Sequence, residues 1–200
     1  TDEIRTTRPT AVDEATWGLS VSENSLWRAV PDFIRHFDRV CRRRLGRGLP
    51  LSIQPFQFYS WMGGDRDGNP NVTHKVTEEV VLLGRWKAAD LYLEDLHAIG
   101  GDLSMHQASD KLIAYLGKES ATPYREVISN IRERLEITRE WTEARINGEI
   151  LPPPPERVSH VQELLEPLLL CHESLMECGH KFIANGPLTD LIRRIYAFGI

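Results

Sequence analysis

Leu82, Trp86, Ala89, Leu93 and Leu96 recur at alternating steps of four and three, the spacing that lines one face of an α-helix. Val76, Val80, Leu83 and Leu91 widen that stripe. Thr73 stands where an N-cap belongs, and Gly100-Gly101 is the expected stop. The pattern repeats behind Thr122-Pro123, a cap followed by a first-turn proline. There Val127, Ile131, Leu135, Thr138 and Trp141 share a face, and Asn147-Gly148 closes the helix. Two long amphipathic helices commit the chain to a mainly α fold.

The remaining segments follow the same logic. Thr10 can cap a short helix whose first turn holds Asp13 and Glu14. From Glu23 to Leu45, apolar residues at Leu26, Val30, Phe33, Phe37, Val40 and Cys41 keep helical spacing. Pro31 lacks a backbone donor and predicts a kink or break near Val30. Gly46 and Gly48 end that helix. Leu51 to Trp61 reads as extended, with Phe56 and Phe58 alternating against Gln57 and Tyr59. Residues 55–61 are the one expected strand. A lone strand cannot satisfy its own backbone groups, so it needs a partner outside this sequence or one too short to recognise. A shorter helix is expected over Ala108–Leu116, stopped by Gly117. Pro152 to Pro155 form a stiff spacer. Ser159 and Gln162 form a candidate capping box for a helix through Glu177, kinked near Pro167. Asn185-Gly186-Pro187 reads as a turn before a last helix carrying Leu188, Leu191, Ile192 and Ile195.

Between the expected strand and the first long helix lies Ser60-Trp61-Met62-Gly63-Gly64-Asp65-Arg66-Asp67-Gly68-Asn69-Pro70-Asn71-Val72-Thr73. A Gly-rich charged turn at such a junction is where a rigid scaffold presents chemistry. Asp65-Arg66-Asp67-Gly68-Asn69 resembles the start of an EF-hand loop. That loop needs Gly at its sixth position and Glu at its twelfth, where Pro70 and Val76 stand. Gly63 and Gly68 have P-loop spacing, but Asn69-Pro70 replace the required Lys and Ser/Thr. Calcium binding of that type and P-loop phosphate binding are both rejected. A tight surface turn with a solvated Asp-Arg-Asp cluster remains open.

Composition is that of a globular domain: 41% hydrophobic, 26% charged and a net charge of −5 over 200 residues. Arg42-Arg43-Arg44 is the strongest basic run and suits a helix C-terminus, so no nucleic-acid partner is expected. No apolar run reaches the roughly 18 residues of a membrane span, and no signal peptide is read. Cys41, Cys171 and Cys178 form no C-x-x-C pair, which predicts a reducing, cytoplasmic setting. Cys171, His172, Cys178 and His180 match no standard zinc spacing and are assigned to packing. The Asn71-Val72-Thr73 sequon is expected to be unused.

The Ser60–Thr73 stretch closely resembles a signature of phosphoenolpyruvate carboxylases. Further matching stretches run in order along the chain. They are Thr1-Asp2-Glu3-Ile4-Arg5, Arg8-Pro9-Thr10, Val12-Asp13-Glu14-Ala15, Asn24-Ser25-Leu26-Trp27, Arg85-Trp86-Lys87-Ala88-Ala89-Asp90-Leu91, Leu103-Ser104-Met105 and Ile183-Ala184-Asn185-Gly186. The family is several times longer, and this chain does not begin with Met. The expectation is therefore an internal fragment, residues 1–200 being a single partial domain, inactive alone.

The resemblance implies a β/α barrel buried among extra helices, this chain giving its helical portion and about one barrel strand near 55–61. It implies carboxylation of phosphoenolpyruvate by bicarbonate to oxaloacetate and inorganic phosphate, with Mg²⁺ or Mn²⁺, feeding the tricarboxylic acid cycle in a cytoplasmic, allosteric homotetramer. By resemblance, Trp61 lines the pocket beside the substrate's methylene, with core packing as its alternative. Arg66 binds bicarbonate or phosphate, or is braced between Asp65 and Asp67. Gly63, Gly64, Asp65, Asp67 and Asn69 support the loop. Arg5 resembles a position that binds a sugar-phosphate activator. The catalytic and metal-binding residues are expected outside residues 1–200. The competing readings are a helical interaction module and a homologue without activity.

Overall fold

The structure, a computed structural model, describes residues 9–200, and the described residues are helical with no strand. Helix α1 (Ala11–Val21) runs through a π-helical turn at Ser22–Leu26 into α2 (Trp27–Leu45). Helix α3 (His74–Asp102), α4 (Asp110–Leu116) and α5 (Pro123–Ile146) follow. Helix α6 (Gln162–Glu177) leads through the single turn α7 (Lys181–Ile183) and a π turn, Ala184–Leu188, into α8 (Thr189–Phe198).

The two helices with the strongest sequence pattern, α3 and α5, share the most extensive interface. Tyr92, Leu96 and Ile99 of α3 are buried with Tyr124, Ile131 and Leu135 of α5. Leu164, Leu168 and Leu175 of α6 and Leu191, Ile192 and Ile195 of α8 complete one core. Full burial of each such side chain stabilises by roughly 1.5–3 kcal/mol. Tyr124 bridges to Ser174 of α6 at 2.8 Å, and that hydroxyl accepts from the Ser109 amide at 2.8 Å. These three polar groups inside the core thereby satisfy one another.

Pro31 does not break the helix. It sits inside α2, which is continuous to Leu45. Proline removes the donor that would reach the carbonyl four residues back, at Trp27. Arg194 of α8 fills that vacancy, its Nε donating to Trp27 O at 2.7 Å. Its Nη1 pairs with both oxygens of Asp95 on α3, at 3.1 and 3.0 Å. One guanidinium thus ties α2, α3 and α8.

Several local expectations are corrected. Among the described residues, 55–61 pair with no other strand, which leaves open a partner outside this sequence. Phe56 and Phe58 do face inward and Gln57 and Tyr59 outward, but no described segment lies alongside to form a ladder. The tertiary anchors include one bond, Phe58 N to Ala197 O at 3.3 Å, Phe58 stacking on Phe198 at 5.0 Å and Phe56 against Phe33 of α2 at 5.5 Å. Gly100 and Gly101 lie inside α3, whose cap is Leu103; the absent side chain at Gly100 faces Ile128 of α5. The Ser159–Gln162 capping box does not form. Glu163 reaches back instead, accepting from Ser159 N and His160 N at 3.1 and 2.9 Å. Cys171 is fully buried and its thiol is pushed up to about 12 by burial, as a packing residue should be.

Candidate functional site

The loop before α3 is docked from two sides. Thr73 caps α3, its hydroxyl accepting from Val76 N at 3.4 Å, and Thr77 Oγ1 donates to Gly63 O at 2.7 Å. Gly63 takes φ +70, and a Cβ there would stand 2.6 Å from Val80 Cγ2. Glycine is therefore required twice over: for the left-handed backbone and for the close approach to α3. On the other side Met62 packs on Gly18 of α1, where a Cβ would meet Met62 Cε at 2.1 Å. Gly68 needs only the left-handed backbone, at φ +71 with open space around it. Gly64 has no positive φ and contributes a turn bond to Trp61 O at 2.9 Å.

The charged residues brace the loop through the backbone. Asp65 Oδ1 accepts from Asp67 N at 3.2 Å and Asn69 Oδ1 from Asn71 N at 3.1 Å, two side-chain turns of the kind Asp and Asn favour. Asn69 N donates to Arg66 O at 2.6 Å. Among the described residues Arg66 makes no ion pair with Asp65 or Asp67, and all three are exposed. Bracing does not use the Arg66 guanidinium, which stays available.

Trp61 is 76% exposed, so it is not packed in the core of the described residues. It lines a cleft of about 920 Å³ together with Met62, Gly63, Asp65, Arg66, Asp67 and Asn69. The first turn of α1 forms the opposite wall. Thr10 and Asp13 cap that turn reciprocally, Asp13 N to Thr10 Oγ1 at 3.1 Å and Thr10 N to Asp13 Oδ2 at 2.8 Å. The described lining carries the carboxylates of Asp13, Glu14, Asp65, Asp67 and Glu79 against the single cation Arg66. Among the described residues no group of three or more His, Cys, Asp or Glu can hold a metal ion. Arg5, the expected activator contact, lies outside the described residues.

One loop, docked on α1 and α3, thus presents an exposed indole and a guanidinium without an ion pair to the same cleft. The sequence comparisons specify the class. The family model for phosphoenolpyruvate carboxylase matches residues 1–200. The chain is 58% identical over its whole length to the phosphoenolpyruvate carboxylase of Marinobacter nauticus and 55% to that of Pseudomonas aeruginosa. It is 50% identical to that of Escherichia coli O81. The chain belongs to the phosphoenolpyruvate carboxylase family. It spans 22% of the Marinobacter nauticus protein and 23% of the other two. No helix among the described residues is long and apolar enough to cross a membrane.

Proposed function

We propose that residues 1–200 are a partial domain of a phosphoenolpyruvate carboxylase and give its substrate site the Trp61 wall and the Arg66 cation. The observation that carries this reading is that one loop, fixed on α1 and α3, presents an exposed indole and an unpaired guanidinium to the same cleft. In the proposed reaction the phosphoryl group of phosphoenolpyruvate moves to a bicarbonate oxygen. Its bond to the enol oxygen breaks, leaving the enolate of pyruvate. The enolate methylene then bonds the carboxyl carbon of carboxyphosphate, and phosphate leaves with the bridging oxygen. Oxaloacetate and inorganic phosphate result.

Trp61 beside the methylene excludes water and offers its apolar face to a carbanion that any nearby acid would quench. Arg66 meets an anionic oxygen of phosphate or bicarbonate with its planar fork. Among the described residues one cation stands against five carboxylates, which does not hold two anions, so further cations would come from outside the described residues. Mg²⁺ or Mn²⁺, with ligands also outside residues 1–200, would supply further neutralisation of the phosphate. Homotetrameric assembly, allosteric control and a cytoplasmic setting are proposed for the longer chain on the same family basis, and Arg5 remains the proposed activator contact.

The test is phosphate release by the full native chain carrying residues 1–200, with phosphoenolpyruvate and Mg²⁺. Bicarbonate-dependent release with stoichiometric oxaloacetate is expected. A folded chain that releases none contradicts the proposal.

A further inference from the structure

A second cavity, of about 730 Å³, opens between α2, α6 and α8 and shares no lining residue with the Trp61 cleft. Its walls include Arg35, Arg39, Arg42, Lys181 and Arg193. Two of these cations are already matched. Arg35 pairs with Asp190 at 2.6 Å and also donates to the carbonyls of Asn185 and Gly186. Arg42 pairs with Asp38 at 2.7 Å. Asp32, the other carboxylate of the lining, stands 3.9 Å from Arg28, outside the cavity.

Arg193 is the anomaly. It is 5% exposed, and its Nε is buried with no hydrogen-bond partner. It makes no hydrogen bond or ion pair among the described residues. His172 of α6, 8% exposed, lines the same cavity with an equally orphaned Nε2. Burial and the Arg35 guanidinium both press against the Arg193 charge, and Asp38 and Asp190 only partly offset them. A buried guanidinium left without a partner is costly, and proteins retain such groups when something pairs with them. Arg39 and Lys181 add two exposed cations with no ion pair at the mouth. A net excess of positive charge, a buried guanidinium with no partner and a volume within the roughly 300–1,000 Å³ of small-molecule sites all ask for the same ligand chemistry.

We propose that this cavity binds a small phosphate dianion, free or as a monoester, seated on Arg193 and held at the mouth by Arg39 and Lys181. The guanidinium fork matches two phosphate oxygens at once. The site shares no lining residue with the Trp61–Arg66 cleft.

The test is calorimetric titration of the full native chain with inorganic phosphate and, separately, glycerol 3-phosphate, in wild type, Arg193→Met and Arg39→Met. Arg39 is exposed, so its variant keeps the wild-type melting temperature even where Arg193→Met fails to fold. Each folded variant is expected to weaken binding by about tenfold or more, the loss of one charge-assisted hydrogen bond. Tighter binding of glycerol 3-phosphate assigns the site to a monoester, and equal binding assigns it to the free ion. Wild-type and Arg39→Met isotherms that coincide overturn the proposal. So does a structure of the full chain with one of its own carboxylates seated on Arg193.

Discussion

Arg194 donates its Nε to the carbonyl oxygen of Trp27 across 2.7 Å, taking the acceptor that Pro31 leaves free one helical turn later. The same guanidinium lies 5.5 Å from the Trp27 ring centroid and grips Asp95 with two bonds. A proline that costs α2 a hydrogen bond thereby creates the socket that joins it to α8.

This relationship predicts a coupled pair. Arg194→Met strands both Asp95 and the Trp27 carbonyl in a half-buried setting and is expected to cost about 3 kcal/mol. Pro31→Ala restores a donor to Trp27 O, so part of the Arg194 loss disappears in that background. A double-mutant cycle by urea unfolding should give a coupling of at least about 0.5 kcal/mol. Strict additivity would show that the two residues are independent.

Gly63 and Gly68 have nearly the same φ but different surroundings. Gly68→Ala meets only the left-handed backbone penalty, about 1–2 kcal/mol. Gly63→Ala adds a clash with Val80, whose branched side chain has little freedom to move, and should cost about 2–4 kcal/mol in total. Thermal melts of both variants check the ordering. Equal losses would mean that the loop is not docked on α3 through Gly63.

Asp38 gives a pH dependence with a definite sign. Burial raises its carboxyl, but hydrogen bonds from Arg42 and the Leu49 amide overcome this and hold it below the ordinary carboxylate range. The unfolded chain therefore binds the proton more readily. The stabilisation is complete above the ordinary Asp value of about 3.9 and is lost as pH falls through the lower folded value. Urea midpoints should drop more steeply in wild type than in Asp38→Asn as the solution is acidified below about pH 4. Parallel curves would remove Asp38 from the acid response.

Trp61→Ala separates a site role from a packing role. An indole that is 76% exposed contributes little to the fold of these residues, so stability should change by no more than about 0.5 kcal/mol. Turnover of the full native chain should nonetheless fall by about tenfold or more, because water enters where the enolate forms. A large loss of stability would return Trp61 to packing against the rest of the chain.

The parts of this architecture legible in the sequence are those encoded locally. The period of Leu82, Trp86, Ala89, Leu93 and Leu96 marks α3, and Thr73 and Gly117 mark a start and a stop that the structure keeps. Phe56 and Phe58 alternate as expected, yet alternation is only half of a strand; the other half is a neighbouring backbone, which no local pattern supplies. Likewise Pro31 announces a missing donor but not the arginine more than 160 residues away that replaces it. Ser60–Thr73 stands out by its glycines and charges. That Arg66 would be left unpaired while Asp65 and Asn69 brace the turn depends on backbone geometry, not residue type. The Arg193 cavity had no sequence signal beyond scattered arginines, because its members come from four helices.

The most direct test of an anion-binding role for Arg66 is kcat/KM for phosphoenolpyruvate in Arg66→Ala of the full native chain, at saturating bicarbonate and Mg²⁺. Arg66 is exposed and unpaired, so the fold should be intact by melting temperature. A loss of about 10²-fold or more is expected, the effect of removing one charged donor from a developing anion. A wild-type kcat/KM in a folded Arg66→Ala chain would contradict it and leave the loop a structural turn.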